Sequence, residues 1–215
     1  MRGISIQASA DAFRSVPIAT IVISEQFQAL PKNGYTTMFE KILSHPKIEV
    51  RLNTDYRDAR DKVEFQHLIF TGPIDEYFDH CFGPLPYRSL RFEPEILSQE
   101  YFQPTMQVNY PNDHDFTRIV EIKHATGQKV LATTIVREYP QDFGPGREPY
   151  YPIPAPDARA LDAKYANRAA SEKNVTFVGR LATYRYYNMD QVVATALTEF
   201  DRLRDHFPMG EAEST

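Results

Sequence analysis

The stretch NVTFVGRLATYRYYNMDQVVATALTEFDRL, residues 174–203, decides how the chain must be built. It opens on a short apolar run, NVTFVG, that reads as a buried strand. It closes on a segment whose Val192, Val193, Ala196, Leu197, Phe200 and Leu203 recur at helical spacing, which predicts an inner face turned toward a core. Asn188 is a good N-cap, and Gln191 three residues later can reach back as a capping box, so the helix is expected to begin where the intervening loop ends. That loop packs Tyr184, Tyr186 and Tyr187 together with Arg180 and Arg185. A strand, a loop and a helix start make a ready anion site. Free amides and the helix dipole supply partial positive charge, and Arg180 adds a full charge able to grip a phosphate through two N–H groups. Tyr184 and Tyr186 lie two apart, so in an extended loop they share a face and can offer hydroxyls. The same tyrosines could instead be half-buried rings, with the arginines paired to surface acids; spacing alone leaves both readings open.

Composition bounds the rest. The chain has 215 residues, 42% of them apolar, enough to bury a substantial core as one domain. A formal charge of -5 and a pI near 5.7 exclude the global basic field that sequence-independent nucleic-acid binding needs, so an anionic ligand must be met by local arginines. Cys81 is the single cysteine, which excludes an internal disulfide and a cysteine-based zinc cluster and suits a reducing cytoplasm. The apolar run IATIVI near the N-terminus has neither transmembrane length nor a cleavage site, so no signal peptide and no membrane anchor are expected.

Working back from the opening stretch, GYTTMFEKILSH places Met38, Phe39, Ile42 and Leu43 at helical spacing, with Pro46 as the stop. KIEVRL, residues 47–52, alternates like a strand. HLIFTGPIDEYFDHCFG, residues 67–83, reads as a buried strand, a Gly-Pro turn and a short helix carrying Tyr77 and Phe78. The middle third alternates throughout: YRSLRFE, TMQVNY, TRIVEIKH and VLATTIVREY follow one another with no helical pattern between them, which predicts an antiparallel sheet. PDARALDAKYANRAASEK, residues 156–173, is expected to be a surface helix. The expected fold is therefore mixed α/β (α+β), one domain over residues 1–215. It comprises an N-terminal arm (1–24), strand–helix units (25–85 and 172–207), the antiparallel sheet (86–155) and a frayed acidic tail (208–215).

Several of these segments, FTGPIDEYFDHCFGPLPYRSLRFE, FTRIVEIKH, REYPQDFGPGREPYYP and GRLATYRYYNMDQ, resemble the consecutive signature segments of the UDP-galactopyranose mutase family, in the family's order and spacing. FQALPKNGYTTMFEKIL resembles its preceding segment, so the likeness runs from about residue 27 to about residue 203. The resemblance implies the sugar-diphosphate-binding half of that architecture and an isomerase that interconverts pyranose and furanose forms of a nucleotide-bound sugar; the family uses reduced FAD as nucleophile on the anomeric carbon. It implies further that Arg118 and Arg180 correspond to arginines at the sugar diphosphate and flavin, Tyr151 and Tyr186 to diphosphate-binding tyrosines, and Arg88 to another active-site arginine. Arg88 could equally brace Glu93, Tyr151 could be a packing ring, and His124 could be a base or a hydrogen-bonded structural residue.

Where the sequence departs from the family pattern, it changes the expectation. No G-x-G-x-x-G occurs anywhere and the chain has nine glycines, so no FAD binding is expected. There is no tryptophan to stack on uracil, which points toward GDP-activated as well as UDP-activated hexoses. Asn188 stands where the family usually has aspartate. The expected activity is a flavin-independent mutase in which Arg118, Arg180, Tyr151 and Tyr186 hold the diphosphate. Arg88, Tyr184 and Asn188 sit beside them, and a divalent cation, magnesium or manganese, replaces missing positive charge. The alternative is a non-catalytic subunit that completes a separate flavin-binding chain. The start at Met1 suggests a naturally short protein without the family's helical lid. Cover then falls to the N-terminal arm or to a second subunit, and the apolar run at residues 16–23 predicts a homodimer.

Overall fold

Alternation in the middle third produces the sheet it predicts. In a computed structural model the chain is described over residues 30–111 and 113–206. In chain order the elements are α1 (Gly34–Leu43), α2 (Tyr56–Ala59), β1 (Leu68–Phe70), α3 (Ile74–Tyr77), β2 (Tyr87–Leu97), β3 (Gln107–Asn109), β4 (Arg118–Glu121), α4 (Lys123–Thr126), β5 (Thr133–Asp142), β6 (Tyr151–Pro152), α5 (Pro156–Ala169), β7 (Val175–Phe177) and α6 (Met189–His206). Five strands form one antiparallel sheet in the order β3-β4-β5-β2-β6. Its spine is the long β2/β5 pair, in register from Arg88 opposite Asp142 to Leu97 opposite Thr133. The fold is the expected mixture of an antiparallel sheet and flanking strand–helix units.

The flanking units meet in a separate parallel pair, β1 with β7, so the two apolar runs at residues 68–70 and 175–177 lie side by side although far apart in sequence. One face of this pair carries Phe70 and Phe177, which pack edge-to-face with each other and with Tyr77; Tyr56 closes the cluster. Such aromatic pairs contribute about 0.5–1.5 kcal/mol each beyond area burial. Next to this cluster, Ile74, Phe78, Leu85, Tyr87, Ala158, Tyr165 and Tyr184 form the core that joins α3, the start of β2, α5 and the turn before α6. The expected surface helix at 156–173 thus has an inner face as well. Tyr165 is fully buried, donates to the Gly83 carbonyl at 2.7 Å and accepts the Phe82 amide.

Three expectations fail here. KIEVRL forms no strand: Ile48, Val50 and Leu52 are exposed, since no neighbouring strand pairs with them among the described residues. TRIVEIKH does not run as a strand to its end, because Lys123 and His124 begin the short α4. Most of the predicted inner face of α6 is exposed, including Val193, Leu197 and Phe200, and α1 likewise exposes Phe39, Ile42 and Leu43. The N-terminal arm with its run at 16–23, and the tail from 208, lie outside the described residues.

Candidate functional site

Residues directly opposite one another in neighbouring strands share a sheet face. Asn109 of β3 lies opposite Arg118 of β4, Arg118 opposite Glu138 of β5, and Glu138 opposite Phe92 of β2. Four residues before Phe92 in the same strand, Arg88 lies opposite Tyr151 of β6. Period-two alternation therefore sets Arg88, Arg118, Glu138 and Tyr151 on one face, although they come from four strands.

Arg118 is anchored on this face. Its Nε donates to Asn109 Oδ1 at 3.0 Å and its Nη1 to Glu138 Oε2 at 3.2 Å. Burial pushes the Glu138 carboxyl above its ordinary range and Arg118 offsets only part of that. Burial also raises the Tyr151 hydroxyl; Arg118 and Arg180 pull it down while Glu138 and Tyr186 push it up, so all four lie close enough to act on one phenol. The two arginines from a middle strand and from the loop before α6 thus converge at Tyr151.

Arg180 has a different setting. Its guanidinium carbon lies 4.8 Å from the Tyr151 ring centroid and 4.5 Å from that of Tyr186. The two rings stack at 5.8 Å and 20°. Cation–π contact holds the charge in place without neutralising it, and no carboxylate pairs with Arg180 among the described residues. Its Nε is buried and has no hydrogen-bond partner among the described residues. An unmatched buried donor costs about 1–3 kcal/mol, which an anionic ligand could recover.

The loop that carries Arg180 is coiled rather than extended, which corrects the shared face expected for Tyr184 and Tyr186. Gly179 opens it at φ +96°, a left-handed conformation where a side chain would be strained. The Thr183 amide then bonds back to the Gly179 carbonyl and the Arg185 amide to Arg180. This winding drives Tyr184 into the core, where its hydroxyl donates to the Pro86 carbonyl at 2.5 Å and accepts the Ile153 amide at 3.2 Å. It clamps β2 to β6 and leaves nothing to offer a ligand. Tyr186, 63% exposed by contrast, remains on the open side.

Asn188 sits where the capping argument puts it. Its backbone N–H donates to Gln191 Oε1 at 2.8 Å, and its carbonyl accepts the Val192 amide, so α6 starts three residues beyond Tyr186. Arg88 has no ion pair among the described residues, and Glu93, its expected brace, pairs with Arg91 instead. His124 belongs elsewhere: its Nε2 lies 2.8 Å from the Gln103 carbonyl and 3.3 Å from Glu121, a buried structural cluster. Sequence reasoning missed Glu138 and Asn109, the two groups that orient Arg118. An acid inside the apolar run TTIVREY, in phase with the face of Arg118, was the available signal for the first.

The turn that follows β1 does not fit a dinucleotide diphosphate. A Cβ at Gly72 in that turn would stand 2.9 Å from the Phe70 ring, so the space is filled by the protein's own side chain. Asp75 and Glu76 in the first turn of α3 add charge of the wrong sign.

Arg88 and Arg118 on one sheet face, with Arg180 reaching it from the loop before α6 over two stacked tyrosines, gather three cationic side chains on one side of the molecule. The chain belongs to the UDP-galactopyranose mutase family, whose family model matches residues 15–186. It is 37% identical over 180 residues to a probable UDP-galactopyranose mutase of Klebsiella pneumoniae, covering 83% of this chain and 46% of the relative. It is 33% identical over 179 residues to dTDP-fucopyranose mutase of Escherichia coli, covering 80% and 48%. To UDP-galactopyranose mutase of Mycoplasma genitalium it is 36% identical over 208 residues, covering 85% and 51%. The chain thus spans about half the length of the curated relatives it matches.

Proposed function

We propose that this chain binds a nucleoside-diphosphate hexose on the Arg118/Arg180 face and serves its pyranose/furanose isomerisation. The observation that carries the proposal is the Arg180 guanidinium, held over Tyr151 and Tyr186 with an unmatched Nε, beside an Arg118 fixed by Asn109 and Glu138. Two phosphates carry about two charges, and each charge-assisted hydrogen bond contributes about 1.5–3 kcal/mol. Two convergent arginines match that demand.

The same arrangement supports a flavin-free route in this chain. The diphosphate departs with the electron pair of its bond to C1, stabilised by Arg118 and Arg180. The sugar O4 closes onto C1 and gives up its proton, for which Glu138, with its raised affinity for protons, is the acceptor on this face. Return of the diphosphate to C1 breaks the C1–O5 bond, and O5 takes the proton back. A magnesium or manganese ion bound with the substrate would supply further positive charge to the departing diphosphate.

As to the base, the relatives are named for UDP and dTDP sugars, and a GDP-activated hexose is the further candidate. Calorimetric titration of the purified chain with UDP-galactose, a dTDP-hexose and a GDP-hexose, with and without magnesium, tests all of this. Binding to at least one, weakened more than about tenfold by Arg180→Ala and by Arg118→Ala, is expected; affinity unchanged in both variants refutes the clamp. A second reading, a binding subunit that completes a separate flavin-binding chain, is favoured by the parallel pair β1/β7, which stands apart from the five-stranded sheet among the described residues.

A further inference from the structure

We infer that Phe92 of β2, braced by Tyr150, is the floor on which the hexose of the nucleotide sugar lies, so that this one aromatic ring positions the sugar beside Glu138. The inference deepens the diphosphate clamp proposed above and rests on it.

The second half of β2 alternates sharply. Arg91, Glu93 and Glu95 point to one side of the sheet, while Leu90, Phe92 and Pro94 share the face of Arg118 and Glu138. The row that starts at Arg118 passes through Glu138 and reaches Phe92, two strand spacings or about 10 Å away. On either side of Phe92 and Glu138, Leu90 pairs with Pro140 and Pro94 with Val136. Glu138 is therefore the one charged side chain that β2 and β5 place on this face across three rows. Phe92, directly opposite it, is 43% exposed and open to a ligand there.

The ring is held in orientation. Tyr150 meets it edge to face, with centroids 5.6 Å apart and planes at 80°. The Tyr150 amide in turn donates to the Arg88 carbonyl at 3.0 Å. The next residue, Tyr151, is one of the two rings under the Arg180 guanidinium. One dipeptide thus braces Phe92 with its first ring and seats the clamp arginine with its second, which fixes the floor relative to the phosphate site.

A hexose needs two kinds of neighbour. Its hydroxyls take polar or charged hydrogen-bond partners, and its weakly positive C–H groups pack on the face of an aromatic ring, where the quadrupole is negative. Glu138 and Phe92 offer both from adjacent strands, about 5 Å apart. Because Glu138 is the acceptor assigned to the O4 proton, the sugar and not the nucleobase belongs at this end of the clamp.

The test titrates the full 215-residue chain with UDP and with UDP-galactose by calorimetry, and follows the ligand protons by NMR. In the wild type the hexose C–H signals are expected to move upfield in the ring current of Phe92. Phe92→Ala is expected to lower UDP-galactose affinity about fivefold or more, to leave UDP affinity unchanged and to erase the upfield shift. Phe92→Tyr, which keeps the ring, should retain both affinity and shift. Phe92→Leu, which keeps apolar bulk in the strand, should retain UDP affinity and lose the shift. UDP-galactose affinity and hexose shifts indifferent to Phe92→Ala and Phe92→Leu overturn the inference, as does an upfield shift confined to the uracil protons, or loss of UDP affinity in both variants. If UDP binding is lost in Arg180→Ala while the hexose signals ignore Phe92, the clamp stands and the floor alone falls; a wild-type chain that binds neither nucleotide overturns the proposed function and the floor with it.

Discussion

Two tyrosines two positions apart in one loop have opposite duties, and the difference is measurable residue by residue. Tyr184 is a core clamp whose hydroxyl satisfies Pro86 and Ile153; Tyr186 is an open ring against Arg180. Tyr184→Phe should therefore cost about 1–2 kcal/mol of stability in denaturant unfolding, since it leaves a buried carbonyl and amide unmatched, and should leave nucleotide-sugar affinity nearly unchanged. Tyr186→Ala should do the reverse, weakening binding in calorimetry with stability altered by less than about 0.5 kcal/mol. Spacing could not separate the two, because the separation comes from Gly179 and the back-bonded turn that follows it. Glu138 offers a second contrast at this scale. Above its raised pKa it carries a charge that opposes a diphosphate while holding Arg118, so Glu138→Gln should keep the orientation and remove the repulsion. At neutral pH the variant is expected to bind UDP tighter by about 1 kcal/mol, with less dependence on pH than wild type, and to lose isomerisation if Glu138 carries the proton. Equal affinity and equal pH profiles would show that Glu138 does not face the ligand.

At the scale of elements, β4 and the turn after it show how much rests on one buried carboxylate. Glu121 is fully buried and accepts from the Phe102 and Gln103 amides, from Thr133 and from His124. Burial pushes its pKa up, but the Thr133 hydroxyl and the two amides outweigh that and hold it below the ordinary value of 4.5. Its folded pKa is depressed, so its stabilisation is present above the unfolded value and is lost as pH falls through the folded one. Unfolding free energy should accordingly decline below about pH 4.5, and Glu121→Gln should flatten that decline while costing roughly 2–3 kcal/mol at neutral pH. Beside it, Lys123 is buried with its Nζ donating to the carbonyls of Glu100, Val130 and Ala132. These contacts explain why TRIVEIKH leaves the strand: its last residues tie down loops on both sides. The sheet itself was legible because alternation is local. The bond from the Asn188 amide to the Gln191 side chain was legible for the same reason, whereas the pairing of β1 with β7, more than a hundred positions apart, was not.

Across the whole molecule, the sequence and the described fold disagree about where apolar surface belongs. The helical pattern of α6 predicts an inner face over Val193, Leu197 and Phe200, and that of α1 predicts one over Phe39, Ile42 and Leu43, yet these side chains are exposed. The candidate site is built from other residues: Arg88, Arg118, Glu138 and Tyr151 stand on the antiparallel sheet, and Arg180 reaches them from a turn anchored by the Tyr184 clamp. Ligand binding and apolar cover should therefore separate in solution. The purified chain is expected to bind an apolar dye such as ANS strongly and to raise its scattered mass with concentration, because contiguous exposed apolar side chains of this kind find partners. Saturating nucleotide sugar should raise Tm and leave the dye signal almost unchanged. Leu197→Glu should lower the dye signal and the self-association while leaving both the ligand affinity and the ligand-induced rise in Tm intact. Dye binding abolished by the nucleotide sugar would mean that the apolar face and the diphosphate face are one coupled surface, against the separation that their residues and elements imply.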